Sequence, residues 1–209
     1  MKNIQKFVFM HIPKTGGTTF KKIVINRLRL KHFRDSKDRY NINKSSWYMD
    51  YYDKKIKFRP KLPKCNLDKY DVVSGHFKAS KYLFLNRPMI TWVRNPTDRL
   101  ISQYYNWKYK CDHIDNYKDK DELVWYDSFK NGMDIVEFSK AFGNHMSFFF
   151  DIQPIKFKFI GILEQYQKSL NLFLNIMNIN ISINSSIFNN FEHPKVNNNI
   201  RKEICKNQK

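Results

Sequence analysis

Residues 11–20 read HIPKTGGTTF. A lysine, two glycines and three threonines fill six positions here: Lys14, Thr15, Gly16, Gly17, Thr18 and Thr19. Glycines let the backbone turn tightly and approach an anion with no Cβ in the way. A following helix adds first-turn N–H groups aimed at the same place. Lys14 supplies a full charge, so the loop reads as an anion cradle. It is not a Walker A loop, in which the lysine follows the last glycine; here Lys14 precedes both. No apolar strand elsewhere ends in an acidic pair suited to a Walker B magnesium site. Phosphoryl transfer leans on a metal to offset phosphate charge, whereas a sulfonyl group carries less charge and can move without one. Taken alone, the stretch is also compatible with a Gly-Gly turn and an ordinary helix start.

Two further segments hold residues of the right chemistry. In WVRNPTDRLISQYY, Arg94 stands at the end of an apolar run and Ser102 lies eight positions on, about two helical turns further. A guanidinium offers a planar fork to a phosphate and a hydroxyl can add a second contact. Pairing of Arg94 with Asp98 or another acid is the plainer alternative. In SGHF, His76 closes another apolar run. A neutral imidazole can take the proton of an attacking hydroxyl near neutral pH, or can simply donate to a backbone carbonyl. His11 directly precedes the loop and reads as structural, orienting it or packing beneath it. His32, His113, His145 and His193 have no ligand spacing, and CDHID (111–115) reads as polar loop rather than a metal site.

These residues need a scaffold, and the hydrophobic pattern indicates one. KFVFMHI (6–12), YDVVSGHF, RPMITWVRNP and KFKFIGI read as strands. Between and after them, TTFKKIVINRLRLKHF, PTDRLISQYYNWKYK and LEQYQKSLNLFLNIM read as helices, with one or two more in 120–150 broken at KNGMD. Residues 34–69 read as a loop-rich insertion with at most a short hairpin. The tail from 178 is Asn-rich, with FEHPKVNNN as a loop. Strands alternating with helices predict an α/β fold, one P-loop-like domain over 1–209 with a parallel sheet flanked by helices. Ligands gather at the carboxyl ends of such strands, where Lys14, His76 and Arg94 all fall.

Composition narrows the class further. With 209 residues, 42% hydrophobic and 16% aromatic, there is enough apolar material for a packed core rather than a disordered chain. A net charge of +19 and a pI near 9.8 predict attraction to polyanions. Three widely spaced cysteines form neither a disulfide framework nor a zinc pattern. No run reaches membrane-spanning length, so the reading is a soluble chain, cytoplasmic by default.

The paired motifs resemble those of sulfotransferases that use 3'-phosphoadenosine 5'-phosphosulfate (PAPS), closest to the carbohydrate group that includes heparan sulfate 2-O-sulfotransferase. HIPKTGGTTF is similar to their 5'-phosphosulfate loop, WVRNPTDRLISQYY to their 3'-phosphate motif, and FKFIGILEQYQKSLNLF to a later segment; the likeness runs from residue 6 to about 175. It implies a sulfotransferase fold in which Lys14, Thr15, Gly16, Gly17, Thr18 and Thr19 hold the 5'-phosphosulfate. Arg94 and Ser102 then grip the 3'-phosphate, Lys14 stabilises the leaving oxygen, and His76 is the catalytic base. Arg99 and Glu164 match recurring positions, as ligand contacts or as an ion pair or cap. Tyr104, Tyr105, Trp107 and Lys108 are divided between acceptor cleft and core, and Lys195 belongs to a lid. The implied reaction moves a sulfonyl group to an acceptor hydroxyl, a glycan and an anionic one on the charge argument, with no metal and no nucleic acid. The Golgi members' anchor and stem are missing from this chain, which the reading takes as a compact or shortened version. Two competing classes remain at this level: a P-loop kinase or hydrolase, and a non-catalytic polyanion-binding protein.

Overall fold

The computed structural model describes residues 4–35, 62–113, 126–143, 145–183 and 193–208. Its contacts divide the chain into two compact units. The first comprises Met1–Asp38, Leu62–Asn95 and Met146–Asn190, and the second Arg39–Lys61, Pro96–His145 and Phe191–Lys209.

The first unit is built on five parallel strands, β1 (Phe7–Met10), β2 (His32–Asp35), β3 (Val72–Gly75), β4 (Met89–Val93) and β5 (Phe159–Ile162), in the order β2-β3-β1-β4-β5. Period-two alternation sends successive side chains to opposite faces. Phe7, Phe9, Val72, Ile90 and Trp92 join one apolar cluster, and Val8, Met10, Val73 and Met89 join another. Both faces are therefore covered, as a parallel sheet requires. On the first face lie α1 (Gly17–Phe20), which continues as a π-helix over Lys21–Asn26, and the helix Tyr166–Ile176. On the other lie the 3-10 segment Ala79–Leu85 and the short helix His145–Phe149. The chain leaves β1 toward β2 and leaves β3 toward β4, on opposite sides of β1. The carboxyl ends around β1 are thus a topological switch point, where such sheets bind ligands.

The second unit is helical: α2 (Pro96–Asp112), α3 (Tyr126–Lys130), α4 (Ile135–Phe142) and, in the chain's last segment, Asn198–Lys206. Leu100, Ile101, Tyr104, Phe138, Phe142 and Ile204 form its core. Local sequence sets the ends. Pro96 opens α2, Asp134 and Glu137 form a capping box on α4, and the Asn197 side chain accepts from Ile200 N.

The α/β expectation holds, with a parallel sheet flanked by helices and all four expected strands in place. The departures are local. The helix expected through residue 33 stops earlier, with Arg29 left-handed at φ 52°, and His32–Asp35 forms β2, a strand not anticipated. Four residues reading His-Phe-Arg-Asp carry no alternation, and β2 exists because β3 offers an edge to pair with. Within the loop-rich insertion, residues 34–35 are therefore strand and Leu67–Lys69 a 3-10 turn, while 36–61 lie outside the described residues. So do 114–125. The end of the expected loop FEHPKVNNN is helical, because Asn197 is a good N-cap.

Candidate active site

His76 and Arg94 follow directly on β3 and β4, and Lys14 lies four residues past the end of β1, the strand between them. The loop after β1 is shaped from within. Thr15 is fully buried and its Oγ1 donates to Ile12 O at 2.8 Å, tying the turn to the strand end. Lys14 and Gly16 are both left-handed, at φ 66° and 84°. Glycine tolerates that conformation, whereas at Lys14 it stores strain of the kind found at ligand clamps. Gly17 is needed for close approach: a Cβ there would lie 2.0 Å from His11 Cδ2 and 2.1 Å from His11 Nε2. The loop therefore rests on the His11 ring, which is itself stacked on Phe9 at 5.5 Å. Of the three loop threonines, Thr18 is exposed while Thr15 and Thr19 are fully buried.

His11 also organises the base candidate. His11 N donates to Gly75 O at 2.9 Å, and the His76 Nδ1 lies 2.6 Å from His11 O. A carbonyl can only accept, so Nδ1 carries the proton and neutral His76 presents its lone pair on Nε2. The backbone-carbonyl bond foreseen as the plain alternative for His76 is present, and it sets the tautomer that a base needs. The two imidazoles lie 4.5 Å apart between centroids.

Arg94 is half-buried, with Nη1 3.5 Å from Lys14 O. Its turn is pinned by Glu164, whose Oε1 accepts from Asn95 N at 2.7 Å. The segment after β5 thus braces the Arg94 turn, with Glu164 bonded to the backbone as a cap would be. The arrangement is cationic at two strand ends, with a hydrogen-bonded imidazole at a third, and suits a ligand with separated anionic groups.

The Sulfotransferase family model matches residues 1–208. The chain belongs to that family. No curated protein matches it. As a sulfotransferase the chain is an enzyme that passes a sulfonyl group to an acceptor, which sets aside the kinase and binding-protein readings. Membership at this level does not extend to the heparan sulfate subgroup.

The remaining sulfotransferase positions lie in the second unit. Ser102 is 5% exposed on α2. Arg99 is fully buried with its guanidinium 5.5 Å from the Phe142 ring centre, and Asp98 pairs with Arg201 at 2.6 Å. Tyr104 is core, its hydroxyl donating to Met133 O, and Trp107 packs edge-on against Phe138 and Phe142. Tyr105 stacks on His193 at 5.2 Å, while Lys108 and Lys195 are exposed. His113 bonds its own helix at Tyr109 O, and the His145 side chain lies outside the described residues. Cys111 is buried, which pushes its thiol up to about 11. Among the described residues no group of His, Cys, Asp or Glu is arranged to hold a metal ion, and no helix is long and apolar enough to cross a membrane. Sequence reasoning missed the part played by the His11 carbonyl, since its partner is 65 positions away and a backbone atom leaves no trace in residue type.

Proposed function

We propose that this sulfotransferase moves the sulfonyl group of PAPS to a hydroxyl of a carbohydrate acceptor. The observation that carries the reading is the meeting of two segments 80 positions apart, the Arg94 guanidinium standing 3.5 Å from the Lys14 carbonyl. A donor with phosphate at two places on one nucleoside fits such a pair of cations. The loop also fits a phosphosulfate: it has two left-handed residues, a glycine that no side chain could replace, and the start of a helix.

PAPS supplies a sulfonyl group attached to a phosphate leaving group. Lys14 and the first-turn amides of Gly17, Thr18 and Thr19 hold the 5' end, and the Lys14 ammonium offsets charge growing on the bridging oxygen. Arg94, with Ser102, holds the 3'-phosphate through charge-assisted hydrogen bonds. His76 takes the acceptor's proton on Nε2, with Nδ1 held by His11 O. Attack in line with the departing oxygen is then a matter of positioning. The +19 charge favours an anionic glycan over a neutral one.

The test is incubation with sulfur-labelled PAPS and a panel of glycans, lipids, tyrosyl peptides and small alcohols, in the presence of chelator. Label should enter a glycan, and His76→Ala should cut transfer by about 10²–10⁴-fold while 3',5'-adenosine bisphosphate still binds. Failure of the wild-type protein to bind the bisphosphate would remove the proposal.

A further inference from the structure

Building on His76 as base, we propose that a buried set of three residues, Asp35, Lys81 and Tyr82, positions that histidine for transfer without touching the reactants. Lys81 Nζ lies 2.8 Å from Asp35 Oδ2, and Tyr82 Oη donates to the same oxygen at 2.6 Å. Asp35, Lys81 and Tyr82 are 8%, 4% and 1% exposed. Taking two charges out of water is costly, and apolar residues of similar volume often stabilise as well or better. Stability is therefore a poor reason for this pair, and its location supplies another.

Asp35 ends β2 and is the register partner of Gly75, which ends β3. The fit between them is close: a Cβ at Gly75 would lie 2.5 Å from Asp35 O and 3.0 Å from both Asp35 Cβ and Phe77 Cδ1. On the other side of the histidine, Phe77 is 1% exposed and meets the Tyr82 ring edge-on at 4.6 Å. His76 is thus the single residue between two fixed neighbours. Asp35 holds the one by contact with Gly75, and Tyr82 holds the other through Phe77. The two supports meet on one carboxylate oxygen, to which Lys81 is also bonded. The backbone of His76 is set by this cluster and its ring by His11 O, so that Nε2 has a defined location.

Release of labelled sulfate from PAPS to water tests the idea without an identified acceptor. In that step the water oxygen bonds to sulfur and the bridging S–O bond breaks. Its electron pair leaves with 3',5'-adenosine bisphosphate, and the proton passes to His76 Nε2. The variants are the apolar double substitution Asp35→Leu/Lys81→Met, the single Tyr82→Phe, and His76→Ala as a control. Positioning predicts a folded double variant with a melting temperature near that of the wild type and bisphosphate affinity within about twofold. Its single-turnover rate should be about 10–100-fold lower, the penalty for a base misplaced by about 1 Å. Tyr82→Phe should lose several-fold in rate with unchanged affinity. A folded double variant releasing sulfate at the wild-type rate overturns the proposal. If the double variant does not fold, an unaltered rate in Tyr82→Phe overturns it equally. Wild-type release by His76→Ala would instead refute the histidine as base, a separate failure.

Discussion

Alanine at Gly17 is the sharpest test of the loop's support. The new Cβ would sit 2.0 Å from His11 Cδ2, 2.1 Å from Nε2 and 2.7 Å from Cγ, against an ordinary contact of 3.4 Å or more. The imidazole must therefore retreat by about 1.4 Å, or the helix start must lift by as much. Retreat is obstructed, because the ring lies between Phe9, stacked at 5.5 Å, and the His76 ring at 4.5 Å. Overpacking of a filled site costs about 1–3 kcal/mol, and the obstruction puts this case near about 2–3 kcal/mol. For a chain of this size that is a fall in melting temperature of roughly 5–10 °C. Because the His11 carbonyl accepts from His76, the rate of sulfate transfer should fall about tenfold or more as well. Removing the obstructing ring gives the control. In a double-mutant cycle by chemical denaturation, Gly17→Ala and His11→Ala should couple favourably by about 1 kcal/mol or more, the double variant being more stable than the sum of the singles predicts. Additive singles, or a Gly17→Ala protein with wild-type stability and rate, would refute the claim that the loop rests on His11.

Two further outcomes follow from the same geometry. Arg94→Lys keeps the charge and loses the planar fork, so calorimetry should find 3',5'-adenosine bisphosphate bound about 10–100-fold more weakly; a change under twofold would dissociate Arg94 from the 3'-phosphate. His32, bonded to Ser74 Oγ at 2.6 Å, is lowered to about 4 by burial first and then by Lys21 and Arg34. Well above pH 6.5 the ring is neutral in both folded and unfolded chains and contributes no pH dependence. Between 6.5 and about 4 only the unfolded chain binds the proton, so stability should decline as pH falls through that window, by about 1–2 kcal/mol once solvent screening of the half-buried ring is counted. His32→Gln should flatten the slope in urea titrations taken from pH 7 to 4; an equal slope in both proteins would count against it.

The parts of this molecule that could be read from residue order are those that depend on neighbours in the chain. Four strands were legible as short apolar runs ending in Gly, Pro or a charged residue, and the glycine loop, His76 and Arg94 stood out because they sit at those ends. The structure of β2 depends instead on its partner, since His32–Asp35 has no pattern of its own and is ordered by hydrogen bonds to β3. The buried ion pair was invisible for the same reason. Asp35 lies in FRDSK and Lys81 in ASKYL, two unremarkable polar stretches in a lysine-rich chain, and only the folded sheet brings them to 2.8 Å. Glu164 lay between the two cases: its position was noticeable, but the bond to Asn95 N required coordinates.

The π-helical turn over Lys21–Asn26 has a mechanical consequence. Its wider winding lets three successive residues, Ile23, Val24 and Ile25, all be buried, an unusually broad contact for so short a segment. A helix seated on so wide a base is keyed against rolling about its own axis. The amides at its start therefore keep one bearing, and local adjustment falls to side-chain torsions such as those of Lys14 and Arg94.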